Sequence, residues 1–259
     1  PCLLKLSWPG TSAMQTHQPI ALCGKGVCFD TGGLNIKNTE GMALMRKDMG
    51  GAACVLATMM AAARLNLAHP VVGYLPLVDN AISSHALRPG DIITMHNGKT
   101  VEISNTDNEG RLILADAISY ASSFNPQAVI SVATLTGEAL AALGRVYIPV
   151  MSTDDTWLRK LQGAANCAGE KLWRLPLDED YLWNIEGVSA DLSNVCRGEA
   201  GCVSAGLFLN QFCNNLPFIH FDISPTSWMT REHDLGPEGA TGVLVSTLVN
   251  FLASISKQT

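Results

Sequence analysis

Charged side chains fall at alternate positions in Ser104-Asn105-Thr106-Asp107-Asn108-Glu109-Gly110-Arg111-Leu112. Residues two apart in an extended segment point the same way, so a strand end here predicts Asp107, Glu109 and Arg111 on one cleft. The carboxylates offer hard oxygen donors for a divalent cation, and the guanidinium offers a fork for an anion. Such a set suits metal-assisted hydrolysis. Taken alone, the pattern reads first as a solvated turn before a helix. Company elsewhere argues for chemistry. Gly24-Lys25-Gly26-Val27-Cys28-Phe29-Asp30-Thr31-Gly32-Gly33-Leu34-Asn35-Ile36-Lys37 is followed by Arg46-Lys47-Asp48-Met49-Gly50-Gly51-Ala52-Ala53. Glycines bracket Asp30 and Asp48 there, marking backbone that turns tightly or approaches something closely.

In order and spacing, these three blocks resemble the leucyl aminopeptidase family, also called cytosol aminopeptidases. The likeness runs on through Ala133-Thr134-Leu135-Thr136-Gly137 and covers nearly the whole chain as that family's C-terminal catalytic domain. The resemblance implies two adjacent divalent ions held by Lys25, Asp30, Asp48, Asp107 and Glu109, with Asp30 and Glu109 as bridges. Zinc is the implied metal, with manganese or magnesium at an exchangeable site. A carboxylate can span two cations because each oxygen offers lone pairs in its own direction. A lysine ligand must first lose its proton, so metal occupancy is expected to fall with acid; that role for Lys25 comes from the resemblance alone.

By the same resemblance, Lys37 stabilises an oxyanion, which needs a fixed positive charge where negative charge develops. Arg111 holds a bicarbonate that acts as general base, a planar anion suited to the arginine fork. The implied activity is hydrolysis of the N-terminal peptide bond of peptides, with leucine and other neutral apolar residues preferred. Met45, Thr134 and Gly137 would line the pocket for the first side chain. Met45 with Met42 and Met49 fits a helical stripe as well, so core packing stands beside the pocket reading. The resemblance further implies a homohexamer in the cytoplasm. Residues 1–259 are expected to form one catalytic domain without the family's usual N-terminal domain, and Asn108 stands where alanine is usual. A catalytically silent scaffold subunit and a different dinuclear hydrolase, acting on phosphate esters for instance, remain alternative readings.

Other catalytic schemes lack their residue sets. No H-E-x-x-H occurs. Cys202-Val203-Ser204-Ala205-Gly206 lacks the first glycine of a nucleophile elbow and reads as a helix start. Gly98-Lys99-Thr100 has Ile93 where a phosphate-binding loop needs its first glycine, and reads as a turn between strands. His17, His69, His85, His96, His220 and His233 show no metal-binding interval and read as structural or solvated.

The 259 residues are 47% hydrophobic and 15% charged, with a mean hydropathy of +0.18, enough apolar material for a large core. A net charge of −6 argues against general nucleic-acid binding. The eight cysteines contain no C-x-x-C pair, and Cys23, Cys28 and Cys54 sit in apolar runs, so reduced, buried thiols are expected. The apolar stretch from Ala52 to Ala63 is too short to cross a bilayer.

The elements that must position these residues alternate. Strands are expected at 19–23, 71–78, 101–105, 128–133, 146–150 and 218–223, and helices at 45–65, 111–122, 155–168, 203–213 and 242–254. That alternation predicts an α/β fold, a mixed central sheet with helices on both faces in a three-layer α/β/α sandwich. Gly50 and Gly51 cost the first helix stability and imply close packing, and Pro70 is expected to end it.

Overall fold

The computed structural model describes residues 1–11, 17–232 and 236–255; His233 lies outside them. Its centre is an eight-stranded mixed sheet. The strands are β1 (Cys2–Trp8), β2 (Ile20–Gly24), β3 (Gly26–Asp30), β4 (Val71–Asn80), β7 (Ala128–Ala133), β8 (Ile148–Ser152), β9 (Leu172–Arg174) and β11 (Phe218–Asp222). The order is β1-β4-β2-β7-β11-β8-β9, with β3 pairing the far end of β4. β1 runs antiparallel to β4 and β8 antiparallel to β11, while the other pairs are parallel. β2, β7 and β11 are buried at every position; β2 and β7 therefore read as nearly continuous apolar runs rather than as alternation, while β11 buries His220 and Asp222 among apolar residues. A small sheet joins β5 (Ile92–Thr94), β6 (Thr100–Glu102) and β10 (Leu192–Ser193), and β12 (Trp228–Met229) pairs β13 (Gly239–Ala240).

Helices cover both faces. α2 (Gly50–Arg64), α5 (Asp155–Ala168) and α7 (Val245–Ile255) pack on one core with Leu22, Ile130 and Phe221. α3 (Glu109–Ser122) and α6 (Gly201–Asn210) pack on the other with Cys23, Val129 and Phe218. The short α1 (Thr39–Ala43) and α4 (Gly137–Leu143) lie in connections. Local chemistry sets the ends: Asp154 Oδ1 accepts the amides of Thr156 and Trp157 to start α5, and Gly169 stops it at φ +74°. The expected three-layer α/β sandwich is the observed fold. Among the described residues no helix is long and apolar enough to cross a membrane.

Several boundaries move for local reasons. The expected helix at 45–65 is a 3-10 turn at Met45–Lys47 followed by α2. Met42, Met45 and Met49 therefore share no single helical stripe. α2 ends at Arg64, before Pro70, and Asn66 takes the left-handed conformation, φ 49°. β6 stops at Glu102, so the 104–112 stretch is not extended; a 3-10 turn at Thr106–Asn108 leads into α3, which starts two residues before Arg111. The strand expected at 146–150 starts at Ile148, and Val146 is exposed. β1, β3 and β9 are strands that periodicity does not reveal. All eight cysteines are free, but only Cys23, Cys54, Cys202 and Cys213 are buried. Cys28 is exposed where a bulge shifts the register between Val27 and Phe29. The Gly98 turn lies between β5 and β6 as expected, and residues 202–206 lie inside α6.

Candidate metal and peptide-binding site

The site forms beyond the carboxyl ends of parallel strands, where open α/β sheets leave a crevice. Lys25 occupies the break between β2 and β3. Its amide donates to Val132 O at 3.0 Å and its carbonyl accepts from Ala52 at 2.8 Å. Gly51 makes this approach possible, since a Cβ there would lie 2.1 Å from Val132 O and 2.8 Å from the Lys25 amide nitrogen. The Lys25 ammonium donates to Asp48 Oδ1 at 2.9 Å and to the Thr134 carbonyl at 3.0 Å, and lies 3.3 Å from Glu109 Oε1. Thr134 Oγ1 also donates to Asp48 Oδ1 at 2.7 Å, so the segment after β7 and the segment before α2 share one lysine.

Asp30 closes β3. Gly32 and Gly33 then turn the chain at φ +86° and +64°, conformations that glycine adopts at little cost. This loop is tied down by Thr106, whose hydroxyl donates to Gly32 O at 2.6 Å and whose amide donates to Asn35 Oδ1 at 2.8 Å. Its far end carries Lys37, whose ammonium lies 2.9 Å from Asp30 Oδ2 and 2.5 Å from Asp107 Oδ1. One carboxylate oxygen each from Asp30, Asp107 and Glu109 lies within 4.8 Å of the others. Asp107 and Glu109 converge through the 3-10 turn and the first residue of α3, not through the alternation of an extended strand.

Arg111 stands apart. It sits in the first turn of α3, 6% exposed, and among the described residues its guanidinium has no hydrogen bond or ion pair; Nη1 is buried without a partner. A buried arginine in that state fits a small anion. Asn108 turns its side chain away from the carboxylates and donates to Asn194 O at 3.1 Å, so its amide is satisfied.

The electrostatics fit cations. Four carboxylates face two ammonium groups in the cluster of Asp30, Asp48, Asp107, Glu109, Lys25 and Lys37. Burial pushes the Glu109 carboxyl up to about 7 against the pull of Lys25. Burial also raises Asp48 and Asp107, opposed by Lys25 and Lys37 respectively. Burial alone would lower Lys25, but the Asp48 and Glu109 charges outweigh it and hold the amine above its usual range. Buried oxygen donors with uncompensated negative charge are what a divalent cation requires.

A cavity of about 340 Å³ opens over this cluster. Met45, Thr134 and Gly137 line it, along with Leu135, Leu140, Lys47 and Ser224. Glu109 and Arg111 are not on its wall. Sequence reasoning missed Asn80, at the end of β4. Its Nδ2 donates to Asp30 Oδ1 at 2.9 Å, Thr106 O at 3.0 Å and Glu109 Oε2 at 3.2 Å. It also missed the fully buried Asp222, which gathers the amides and hydroxyls of Thr136 and Ser224. Both close apolar strands at the sheet's carboxyl edge, the only sequence signal either offers.

A sequence model of the cytosol aminopeptidase family, catalytic domain, matches residues 1–249, and the chain belongs to that family. It is 44% identical over 252 residues to a probable cytosol aminopeptidase of Syntrophotalea carbinolica, covering 97% of this chain and 50% of that protein. A probable cytosol aminopeptidase of Caulobacter vibrioides is 44% identical over 253 residues, covering 97% and 51%. The solved structure titled bottromycin maturation enzyme BotP in complex with Mn is similar at a TM-score of 0.92 and 36% identity, over 98% of this chain and 56% of that one. The chain thus spans about half the length of the curated relatives it matches.

Proposed function

We propose that residues 1–259 are the catalytic domain of a metal-dependent aminopeptidase that removes the first residue from peptides with a free N-terminus. The observation that carries this reading is the convergence of Asp30, Asp107 and Glu109 oxygens within 4.8 Å beside the Lys25–Asp48 pair. Those five residues would hold a pair of divalent cations, zinc with manganese or magnesium at the looser position. Such a pair, when bound, supplies Lewis acidity to the scissile carbonyl and a water of lowered pKa.

The chain's own groups do the rest. Lys37, at the end of the Thr106-pinned loop and beside Asp30 and Asp107, would stabilise the oxyanion. Arg111, buried without a partner for Nη1 among the described residues, would hold a small planar anion, bicarbonate, as the base. The walls of Met45, Leu135 and Leu140 suit leucine and other apolar first side chains. The matching names of the relatives support the activity and a cytoplasmic setting, and a homohexamer is part of the proposal on the family resemblance.

The test is release of chromophore from leucine p-nitroanilide, with an N-acetylated control, after chelation and after adding back zinc, manganese or magnesium. Cleavage that returns with metal and fails on the blocked substrate is the expected result. Silence under every metal, with two ions bound by elemental analysis, sinks it.

A further inference from the structure

Lys47 lines the same cavity as Met45, Thr134 and Gly137, and it is half-buried. Its backbone is held by the 3-10 turn, the amide donating to Leu44 O at 3.0 Å. Its ammonium has no ion pair among the described residues, because the adjacent carboxylate is already taken: Asp48 is occupied by Lys25 and Thr134. The nearby charge that bears most on Lys47 is Arg145, another cation. Arg145 donates to Trp228 O at 3.4 Å and Arg46 lies over the Trp228 ring at 5.6 Å, both outside the lining of this cavity and without a carboxylate to offer Lys47. A half-buried ammonium with only cations and an already paired carboxylate beside it is costly unless an anion arrives to meet it.

We propose that Lys47 is a specificity-determining residue that receives a carboxylate of the substrate, the side chain of an N-terminal glutamate. The methylenes of glutamate would follow the Met45 and Leu140 wall that suits leucine, and its head would meet the Lys47 ammonium. This rests on the aminopeptidase reading and extends its substrate range beyond apolar residues. The same chemistry has a second source, the C-terminal carboxylate of a dipeptide.

The experiment compares kcat/KM for glutamate and glutamine p-nitroanilides on metal-loaded wild-type protein and on Lys47→Met, which keeps the aliphatic stem. Far-UV circular dichroism checks the fold of the variant and elemental analysis checks its metal loading. A charge-assisted contact predicts a wild-type preference for glutamate over its neutral isostere on the order of tenfold, and its loss in Lys47→Met. Leu-Gly against leucyl-glycinamide forms the second arm; a Lys47-dependent preference there alone assigns the carboxylate to the dipeptide terminus and overturns the glutamate assignment. A glutamate-to-glutamine ratio near one, or a ratio unchanged by Lys47→Met, overturns the proposal while leucine turnover stands. If no p-nitroanilide is cleaved, the aminopeptidase reading fails separately. Calorimetric binding of glutamic acid α-amide against glutamine amide then decides the point, equal affinities overturning it and a Lys47-dependent difference supporting it.

Discussion

Gly110 lies directly against Lys25: a Cβ at position 110 would come 2.2 Å from Lys25 Cε and 2.6 Å from its Nζ. A lysine tip would ordinarily swing aside. This one is held by Asp48, the Thr134 carbonyl and Glu109, so a methyl group at 110 must break that set. Glycine inside a helix normally costs about 0.5–1 kcal/mol relative to alanine, which makes the expected outcome diagnostic. Gly110→Ala should lower activity on the order of a hundredfold, as misplacement of a site group by about 1 Å does, with fewer metal ions retained by elemental analysis. Full activity together with a raised melting temperature would show that Lys25 yields freely.

Asn80 spreads one amide over Asp30, Glu109 and Thr106, and so neutralises part of a carboxylate-rich site without charge. Asn80→Asp adds a further negative charge there. The metal-free variant should lose about 3–5 kcal/mol, the cost of an uncompensated buried charge, and excess manganese should recover most of it. Urea unfolding in chelator and in manganese measures both. An equal loss under the two conditions would mean that Asn80 acts through packing alone.

How much of this was legible depends on the length scale of the signal. β2, β7 and β11 are fully buried stretches of mostly apolar residues, so pattern alone finds them. β1 escapes because most of its side chains are exposed, and β9 because it is three residues at a sheet edge. The closeness of Asp107 and Glu109 was foreseen for the wrong geometric reason. Period-two logic fails where Thr106, held by Asn35 and Gly32, bends the chain into a 3-10 turn. The glycine-flanked Asp30 and Asp48 blocks advertise tight backbone, and the Gly51–Val132 approach supplies the physical cause. Asn80, Lys47 and Asp222 left no such trace, because their meaning lies in long-range partners such as Thr106 for Asn80 and Thr136 for Asp222, or in partners they lack.

Asp222 shows how a residue off the cavity wall can shape it. It is fully buried, and its two oxygens accept from Leu135 N, Thr136 N and Oγ1, and Ser224 N and Oγ. Leu135, Thr136 and Ser224 all line the cavity, so one carboxylate ties its two walls together. Burial raises this carboxyl, and the donors from Thr136, Ser224 and Leu135 oppose that rise. Asp222→Asn turns an NH₂ toward donors and should cost about 1–3 kcal/mol, the cost of unsatisfied buried groups. It should also raise KM for leucine p-nitroanilide several-fold and shrink the leucine-to-alanine preference. A lower melting temperature with KM and preference unchanged would reduce Asp222 to a structural brace.

His220 gives the acid limb of stability. It is fully buried on β11, its Nδ1 is 2.7 Å from Ser131 Oγ, and its Nε2 has no partner among the described residues. Burial first, and Arg111 second, lower its pKa to about 3. In the unfolded chain a histidine titrates near ~6.5. Above that value neither state carries the proton and His220 contributes nothing to the pH dependence. As pH falls through it, the unfolded state takes up a proton that the folded state refuses until about 3, so stability is lost on acidification. One such group sets a slope of about 1.4 kcal/mol per pH unit below ~6. His220→Asn keeps a short polar atom toward Ser131 and removes the titration. It should be less stable at pH 7.5, yet its urea midpoint should fall less steeply between pH 6 and 4.5. Parallel midpoint curves for wild type and variant across that range would mean that the imidazole is protonated in the folded protein as readily as in the unfolded one.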